Sequence, residues 1–277
     1  MAKVIVVTNF SESSRNALDY TCRFLDNPHT TVLLLNIFSF AASMTGDAIA
    51  MAAMSETIAR DEEKLQAEYE WVRSTYPQIN ISTEMVTGVF MEELRFKIGE
   101  EEAALVVMGT NGTYSELLSW DANIIDAFVD VGIPVLIIPA QVQYRPIKKI
   151  AFACNYYRKN LDAPVSMIRR LVQFTKAELY VINVVSPSET IDRQAEASKQ
   201  LLQEGLADLS PHYYEPGFAN IFKAIDNFTA AENIDILLVI PARHGLWYGI
   251  FQQTHTRGLV YLNHIPVLSL HREGNFV

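Results

Sequence analysis

The sequence predicts an α/β protein built from two copies of one domain, each with a five-stranded parallel sheet. Short apolar runs alternate with longer amphipathic segments, which is typical of parallel strands joined by crossover helices. The length of 277 residues suits two domains better than one. Similar residues also recur at matching places in the two halves. Together these observations favour a tandem repeat of a parallel-sheet domain.

The first domain, residues 1–140, contains five predicted strands. Runs rich in Val, Ile and Leu predict them, because parallel strands covered on both faces are apolar at most positions. These strands are Lys3–Thr8, Thr31–Ile37, Ile79–Val86, Ala104–Met108 and Pro134–Ile138. Amphipathic stretches predict helices at Ser13–Leu25, Ala59–Tyr76, Phe90–Glu100 and Asn123–Val131. The alanine-rich stretch Phe38–Met54 is too polar to span a membrane, and we interpret it as a mobile linker leading into the second helix.

The second domain, residues 146–277, repeats this order after a boundary expected at Gln141–Arg145. Its predicted strands are Lys149–Cys154, Glu178–Val184, His212–Tyr214, Ile236–Ile240 and Pro266–Leu270. Three segments align residue by residue. They are Val7–Phe10 with Ala153–Tyr156, Leu35–Ile37 with Ile182–Val184, and Gly132–Leu136 with His264–Leu268. Agreement at three places in the same order indicates two copies of one domain.

The last strand of each copy is a short apolar edge, Val135–Ile138 in the first and Val267–Leu270 in the second. An uncovered apolar edge favours pairing with another strand, and the second copy is tethered nearby at high effective concentration. We therefore expect the two last strands to pair antiparallel, so that the copies form a pseudo-twofold pair.

Charge and cysteine usage limit the classes of partner. The formal net charge of −10 repels nucleic acid phosphates and anionic membrane surfaces, so we expect neither as a partner. The chain enters its first strand at Lys3, which predicts no signal peptide. Cys22 and Cys154 are far apart without metal-binding spacing, as expected of a cytoplasmic protein. At the end of its strand, Cys154 is consistent with a redox-sensitive thiol and with a small buried apolar residue.

The loop after the fourth strand is the first candidate site, because ligands of parallel sheets bind at the carboxyl ends of the strands. It reads Gly109-Thr110-Asn111-Gly112. Two glycines let phosphate groups approach backbone N–H groups closely. The same residues also suit a tight Asn-Gly turn with no ligand. Spacing alone leaves both interpretations open.

At these residues the chain resembles the universal stress protein family in its tandem form. Gly109 and Gly112 are similar to the first two glycines of the family motif G-x2-G-x9-G-[ST], and Pro134-Val135-Leu136 resembles its closing strand. The resemblance implies a Rossmann-like domain of the adenine nucleotide alpha hydrolase type, pairing through the last strand and, in some members, ATP or AMP as ligand. The site residues of the first copy would be Thr8, Asn9, Asn36, Gly109, Gly112 and Asn123.

The first copy departs from the family motif. The third glycine and the hydroxyl residue fall at Ala122 and Asn123, or at Asp121 and Ala122 with a one-residue gap. Asp121 therefore places a carboxylate where phosphate would bind, and like charges ~4 Å apart repel by about 1–4 kcal/mol. Asn9 stands where the family has an aspartate. These departures predict that the first copy binds phosphate poorly.

The second copy departs differently. Pro241 replaces the first glycine and removes one N–H donor, while Gly245 resembles the second glycine. Thr256 falls at the hydroxyl position, and Asn155 stands at the aspartate position. The cations Arg243, His244 and Arg257 favour an anion. We therefore expect phosphate, if it binds at all, in the second copy. The aromatic residues of this loop suit an adenine or ordinary packing, and they are Trp247, Tyr248 and Phe251.

The sequence thus predicts a non-catalytic stress-response module for binding or signalling, with degenerate nucleotide sites. The alternative is an ATP- or AMP-binding protein with at most slow ATP hydrolysis. An enzyme on a related sheet is disfavoured, because no nucleophile, Walker or complete dinucleotide motif is present. The histidines lack metal-ligand spacing, so no metal site is expected. An adenine nucleotide or other anion, a protein partner and a second copy of the chain remain the candidate partners.

Overall fold

The computed structural model describes residues 3–25, 30–39, 48–111, 119–154, 162–183, 193–215, 221–241 and 264–271. Strands and helices alternate along these ranges. The strands are β1 (Lys3–Thr8), β2 (Thr31–Phe38), β3 (Asn80–Thr87), β4 (Ala103–Thr110), β5 (Val135–Pro139), β6 (Lys149–Cys154), β7 (Glu178–Asn183), β8 (His212–Tyr214), β9 (Ile236–Val239) and β10 (Val267–Ser269). The α-helices are α1 (Glu12–Phe24), α2 (Ala48–Thr75), α3 (Phe90–Glu100), α4 (Ser119–Asp130), α5 (Asp162–Thr175), α6 (Arg193–Leu206) and α7 (Ile221–Ala231).

All ten of these strands belong to one sheet with the order β3-β2-β1-β4-β5-β10-β9-β6-β7-β8. Read outward from the centre, both halves have the same order, so the second half repeats the topology of the first. Every pairing is parallel except β5 with β10, which is antiparallel and places Leu136 opposite Leu268. The predicted fold class and the predicted pairing of the last strands are therefore confirmed.

Side chains alternate between the two faces of the sheet, and each face has its own apolar core. Val4 and Val6 of β1 belong to the core under α1, α2, α5 and α6. Ile5 and Val7 belong to the core under α3, α4 and α7. Both cores continue across the central strand pair, so the two halves share their apolar interior.

Helix α2 begins at Ala48, eleven residues before the predicted start at Ala59. The prediction that Phe38–Met54 is a linker is therefore wrong from Ala48 onward, whereas 40–47 lie outside the described residues. Alanine and methionine have high helix propensity, so this stretch forms a helix without a continuous buried stripe. Met51, for example, is 59% exposed.

The connection between β5 and β6 is fastened to both halves. In the first half, Asn16 Nδ2 donates to the carbonyl oxygens of Pro139 at 3.0 Å and Val142 at 2.9 Å. In the second half, Asp235 Oδ1 pairs with Arg145 Nε at 2.6 Å. Hydrogen bonds and an ion pair therefore fix the linker in place. None of the described helices has the length and apolar character needed to cross a bilayer.

Candidate functional site at the carboxyl edge of the sheet

The strand order brings four predicted site residues together where β1, β2 and β4 end. Thr8 is paired in register with Asn36, and Val7 with Met108, so Gly109 lies one residue further along β4. Asn9 follows Thr8 directly. We call this end of the first half the carboxyl edge. It is the edge at which parallel sheets bind ligands.

The turn from β1 to α1 is built from short polar side chains. Asn9 Oδ1 accepts hydrogen bonds from the backbone nitrogen of Ser11 at 3.2 Å and from Ser11 Oγ at 2.6 Å. Ser11 Oγ in turn caps α1 by accepting from the Ser14 nitrogen at 3.3 Å. The side-chain oxygen of Asn9 is thus committed to the turn.

Between Asn9 and Ser11, Phe10 adopts a left-handed conformation with φ of 62°. Its N–H donates to Thr8 Oγ1 at 3.0 Å. Because residues other than Gly, Asn and Asp rarely adopt this conformation, the turn stores backbone strain. Thr8 therefore has a local structural role at the carboxyl edge.

Asn36 and Asn183 occupy the same place in the two halves, opposite the last residues of β1 and β6. Asn36 Nδ2 donates to the carbonyl oxygen of Thr8 at 2.8 Å, which ties β2 to β1. The Oδ1 atoms of both asparagines are buried, and no described residue donates a hydrogen bond to either. A buried acceptor without a donor costs about 1–3 kcal/mol. Each half therefore keeps one unused acceptor near the end of its second strand.

Gly109 is required by the packing of α1 on β4. A Cβ atom at this position would overlap the backbone carbonyl of Ser13. The first turn of α1 therefore lies directly on the glycine, a close approach that only a missing side chain allows. The carbonyl oxygen of Gly109 accepts from Trp120 Nε1 at 3.1 Å. Helix packing and an indole ring thus occupy the surroundings of this glycine.

Helix α4 begins beside the same edge and carries a carboxylate in its first turn. Asp121 lies there and is only 5% exposed. A carboxylate at a helix N-terminus interacts favourably with the helix dipole, as a bound phosphate would. Asn123 is half-buried in the same helix. The position expected to favour phosphate therefore already holds a negative side chain.

Only part of the second candidate site lies in the described residues. Its predicted residues outside the described ranges are Asn155, Arg243, His244, Gly245, Thr256 and Arg257, together with Trp247, Tyr248 and Phe251. Gly112 of the first site also lies outside them. Cys154 is described and is 1% exposed at the end of β6. Burial and the nearby Glu215 carboxylate raise the pKa of its thiol, so the thiol stays protonated. This environment favours the buried apolar role over the redox-sensitive one.

One group of carboxylates in the described part of the chain could surround a cation. Glu84, Glu100 and Glu101 place their oxygens within 4.8 Å of one another. Lys97 pairs with both Glu84 and Glu100, and Lys3 Nζ pairs with Glu101 at 2.5 Å. Each of the three carboxylates is therefore already paired with an ammonium group.

Three further residues at the edge were not among the predicted site residues. Ser11 and Ser14 connect the β1–α1 turn, and the Asn-x-Ser spacing from Asn9 to Ser11 could have predicted the turn. Trp120 reaches back to Gly109 across a gap of eleven residues. No periodicity in the sequence predicts that contact.

Residues 1–125 match the universal stress protein family. No curated protein sequence matches the chain. A universal stress protein from Archaeoglobus fulgidus has a similar structure with a TM-score of 0.69 and 17% identity, covering 98% of each chain.

Two further structures are similar at low identity. A functionally unknown protein from Pseudomonas aeruginosa has a TM-score of 0.54 and 15% identity, covering 98% of this chain and 92% of that one. A universal stress protein family protein from Arabidopsis thaliana with AMP bound has a TM-score of 0.36 and 14% identity, covering 50% and 91%. The two neighbours that align over the full length share the fold, and their identity is too low to transfer a ligand.

Proposed function

We propose a function on the premise that this chain belongs to the universal stress protein family, through residues 1–125 and a second half with the same topology. The protein is a cytoplasmic, non-catalytic module of the stress response that binds a small ligand or a protein partner and passes on a signal. Its nucleotide sites have degenerated unequally between the halves. The expected domains remain residues 1–140 and 146–277.

The observation that carries this proposal is the buried carboxylate of Asp121 in the first turn of α4. A phosphate bound at that helix end would face a like charge in a poorly solvated place. The segment from residue 98 to 144 contains no Lys, Arg or His that would attract the phosphate. Phosphoryl transfer needs positioned cations and metal ligands, and the oxygen of Asn9 is already used by Ser11. These facts support binding without turnover.

The second candidate function is adenine nucleotide binding with at most slow hydrolysis. The buried, unused acceptors Asn36 Oδ1 and Asn183 Oδ1 favour it, because a ligand amine could donate to them. Nucleobases carry such donors. The phosphate would then lie in the second half, where Arg243, His244, Thr256 and Arg257 follow β9 in the sequence.

Phosphate release from ATP, measured with and without magnesium, tests the choice. We expect no turnover above the protein-free rate from the wild-type chain. The double variant Asn9→Asp/Asn155→Asp restores the two carboxylates and serves as comparison. Magnesium-dependent turnover by the wild type would contradict the non-catalytic proposal, and turnover by the double variant alone would support it.

Binding is tested separately by native mass spectrometry of the freshly purified chain and by calorimetric titration with ATP and AMP. Retention of one nucleotide per chain favours the second candidate function. If that nucleotide occupies the second half, Arg243→Ala/Arg257→Ala weakens ATP binding more than adenosine binding. Equal affinity of wild type and this variant would remove the proposed role of the two arginines.

A further inference from the structure

A cavity of about 640 Å³ lies where the linker meets both halves of the molecule. It opens beyond the end of β5 and before the starts of β9 and β10, and its lining shares no residue with the four site residues at the carboxyl edge. Tyr20 of α1 contributes one wall, the linker from Gln141 to Arg145 a second, and Asp235 a third. Its volume is within the usual range for small-molecule sites, which often lie between domains.

Tyr20 is the first reason to regard this cavity as a binding site. The side chain is 2% exposed and its ring packs edge-on against Tyr144 with ring centroids 5.2 Å apart. Among the described residues, none forms a hydrogen bond with its hydroxyl group. Burial raises the pKa of this phenol, so the hydroxyl keeps its proton and remains a donor. The hydroxyl is not among the buried polar atoms that lack a partner, so it is reached from the cavity and is available to donate to a ligand there.

The charged side chains that line the cavity have partners among the described residues. Asp235 Oδ2 accepts from the backbone nitrogens of Lys148 at 2.8 Å and Lys149 at 2.9 Å, and Oδ1 accepts from Arg145 Nε at 2.6 Å. Its carboxylate is therefore satisfied. The His264 ring is held by Asp226 and Thr229. Among the described residues of the lining, the Asp235 charge is thus offset by Arg145, and His264 lies against Asp226.

Several hydrogen-bond donors line the cavity and are not fully used by described residues. Arg145 Nη2 makes only a 3.5 Å contact with the carbonyl oxygen of Ile234, and no described residue bonds Nη1. Tyr20 adds its hydroxyl, and Gln141 and Gln143 add amide groups. Arginine and tyrosine donors together suit a carboxylate, because both bonds gain strength from its charge.

The rest of the lining is apolar. Val142, Ile234 and Pro266 face the same cavity, and Ile234 is 3% exposed. A ligand that fits must therefore combine an anionic head with a hydrocarbon body. We propose that the inter-domain cavity binds a small organic acid, with its carboxylate on Tyr20 and Arg145 and its apolar body on Val142, Ile234 and Pro266. Such a ligand would hold the linker and both halves together, and this role does not depend on nucleotide binding.

Benzoate and benzyl alcohol are matched probes, because they share the aromatic ring and only benzoate carries a carboxylate. We expect NMR titration of the full-length chain to give benzoate about tenfold tighter binding than benzyl alcohol. The Tyr20→Phe variant should lose most of this preference, and Arg145→Lys should reduce it. Tyr180→Phe is the control, because its hydroxyl donates to Glu178 and does not line the cavity.

The ligand-free melting temperature of Tyr20→Phe separates a binding role from a structural one. Removal of an unpartnered hydroxyl should leave the melting temperature equal to that of the wild type or raise it, whereas a structural hydroxyl would lower it. Equal binding of both probes, no benzoate binding at millimolar concentration, or an undiminished benzoate preference in Tyr20→Phe would each overturn the proposal.

Discussion

Leu136 and Leu268 lie directly opposite each other in the antiparallel pair of β5 and β10, and they are equivalent residues of the two halves. An axis that relates the halves therefore passes between these two side chains. The leucines are 1% and 2% exposed and belong to the core that both halves share. Contacts made by equivalent residues are typical of a twofold interface, here within one chain.

We expect Leu136→Ala and Leu268→Ala each to lower the free energy of unfolding by about 2–5 kcal/mol, because each leaves a cavity in the shared core. Urea unfolding measures the change. Leu201, which is 66% exposed, supplies the control. Its replacement by alanine should change stability by less than about 0.5 kcal/mol. A similar small change at Leu268 would mean that the central strands contribute little to stability.

Gly109 and Gly99 form a matched pair for testing the packing of α1. Alanine at Gly109 would overlap the backbone of Ser13, so we expect a loss of about 3 kcal/mol. Nothing lies within 4 Å of a Cβ at Gly99 in α3, where alanine should stabilise the helix by about 0.5–1 kcal/mol. Thermal unfolding of both variants checks this. Equal behaviour would show that α1 does not approach β4 so closely.

His271 should make stability depend on pH. Its Nε2 lies 3.1 Å from the carbonyl oxygen of Phe128. Burial lowers its pKa to about 4 from the ordinary 6.5, against the opposing effects of that contact and of Asp130. Between these values the unfolded chain binds a proton that the folded chain does not. The free energy of unfolding is therefore highest above pH 6.5. It falls by about 3 kcal/mol as the pH approaches 4.

The variant His271→Gln isolates that effect, because other titrating groups stay the same. Urea unfolding of both proteins across this pH range should show a steeper loss for the wild type. Parallel profiles would mean that His271 titrates normally in the folded protein.

Asp121→Asn tests whether the buried carboxylate excludes phosphate. If repulsion by this charge weakens binding, its removal should tighten ATP binding by at least about fivefold, equivalent to about 1 kcal/mol. Calorimetry measures the affinity. Asp126→Asn makes the same charge change on the exposed side of α4 and should have a much smaller effect. Equal gains in both variants would indicate a general effect of net charge.

Both cysteines should resist modification in the folded chain. Burial raises the pKa of Cys22 to about 12, with a further contribution from Asp19, and burial raises that of Cys154 as well. Little thiolate therefore exists at mildly alkaline pH. A thiol-reactive disulfide reagent should label the urea-unfolded chain at once and the folded chain very slowly. Rapid labelling of folded protein, lost in Cys154→Ala, would restore the redox-sensitive interpretation.

Most of the strands were predictable because they are short apolar runs bounded by polar residues. The predicted bounds of β1, β6 and β8 agree with the structure, as do those of α3. The start of α2 was not predictable from periodicity, since the alanine-rich stretch after Ala48 has no continuous apolar stripe. Helix propensity would have predicted it better than the hydrophobic pattern did.

The candidate sites were less predictable from the sequence than the strands and helices. Strand order placed Thr8, Asn36 and Gly109 at one edge, and the sequence could predict that much. The contact of Gly109 with Ser13 depends on how closely a helix approaches, which no spacing encodes. Tyr20, Arg145 and Asp235 come from a helix, a linker and a turn, and only the folded chain brings them to one cavity.

The covalent connection between the two halves also changes how they can evolve. In a dimer of identical chains every substitution appears twice, once on each side of the axis. Here Ser269 Oγ accepts a hydrogen bond from the Val135 nitrogen at 2.8 Å. The equivalent residue of the first half is Ile137, which has no such acceptor. The halves are always present in a one-to-one ratio, so each can accumulate its own substitutions. One gene can therefore keep a ligand site in one half and lose it in the other, an asymmetry that identical subunits could not maintain.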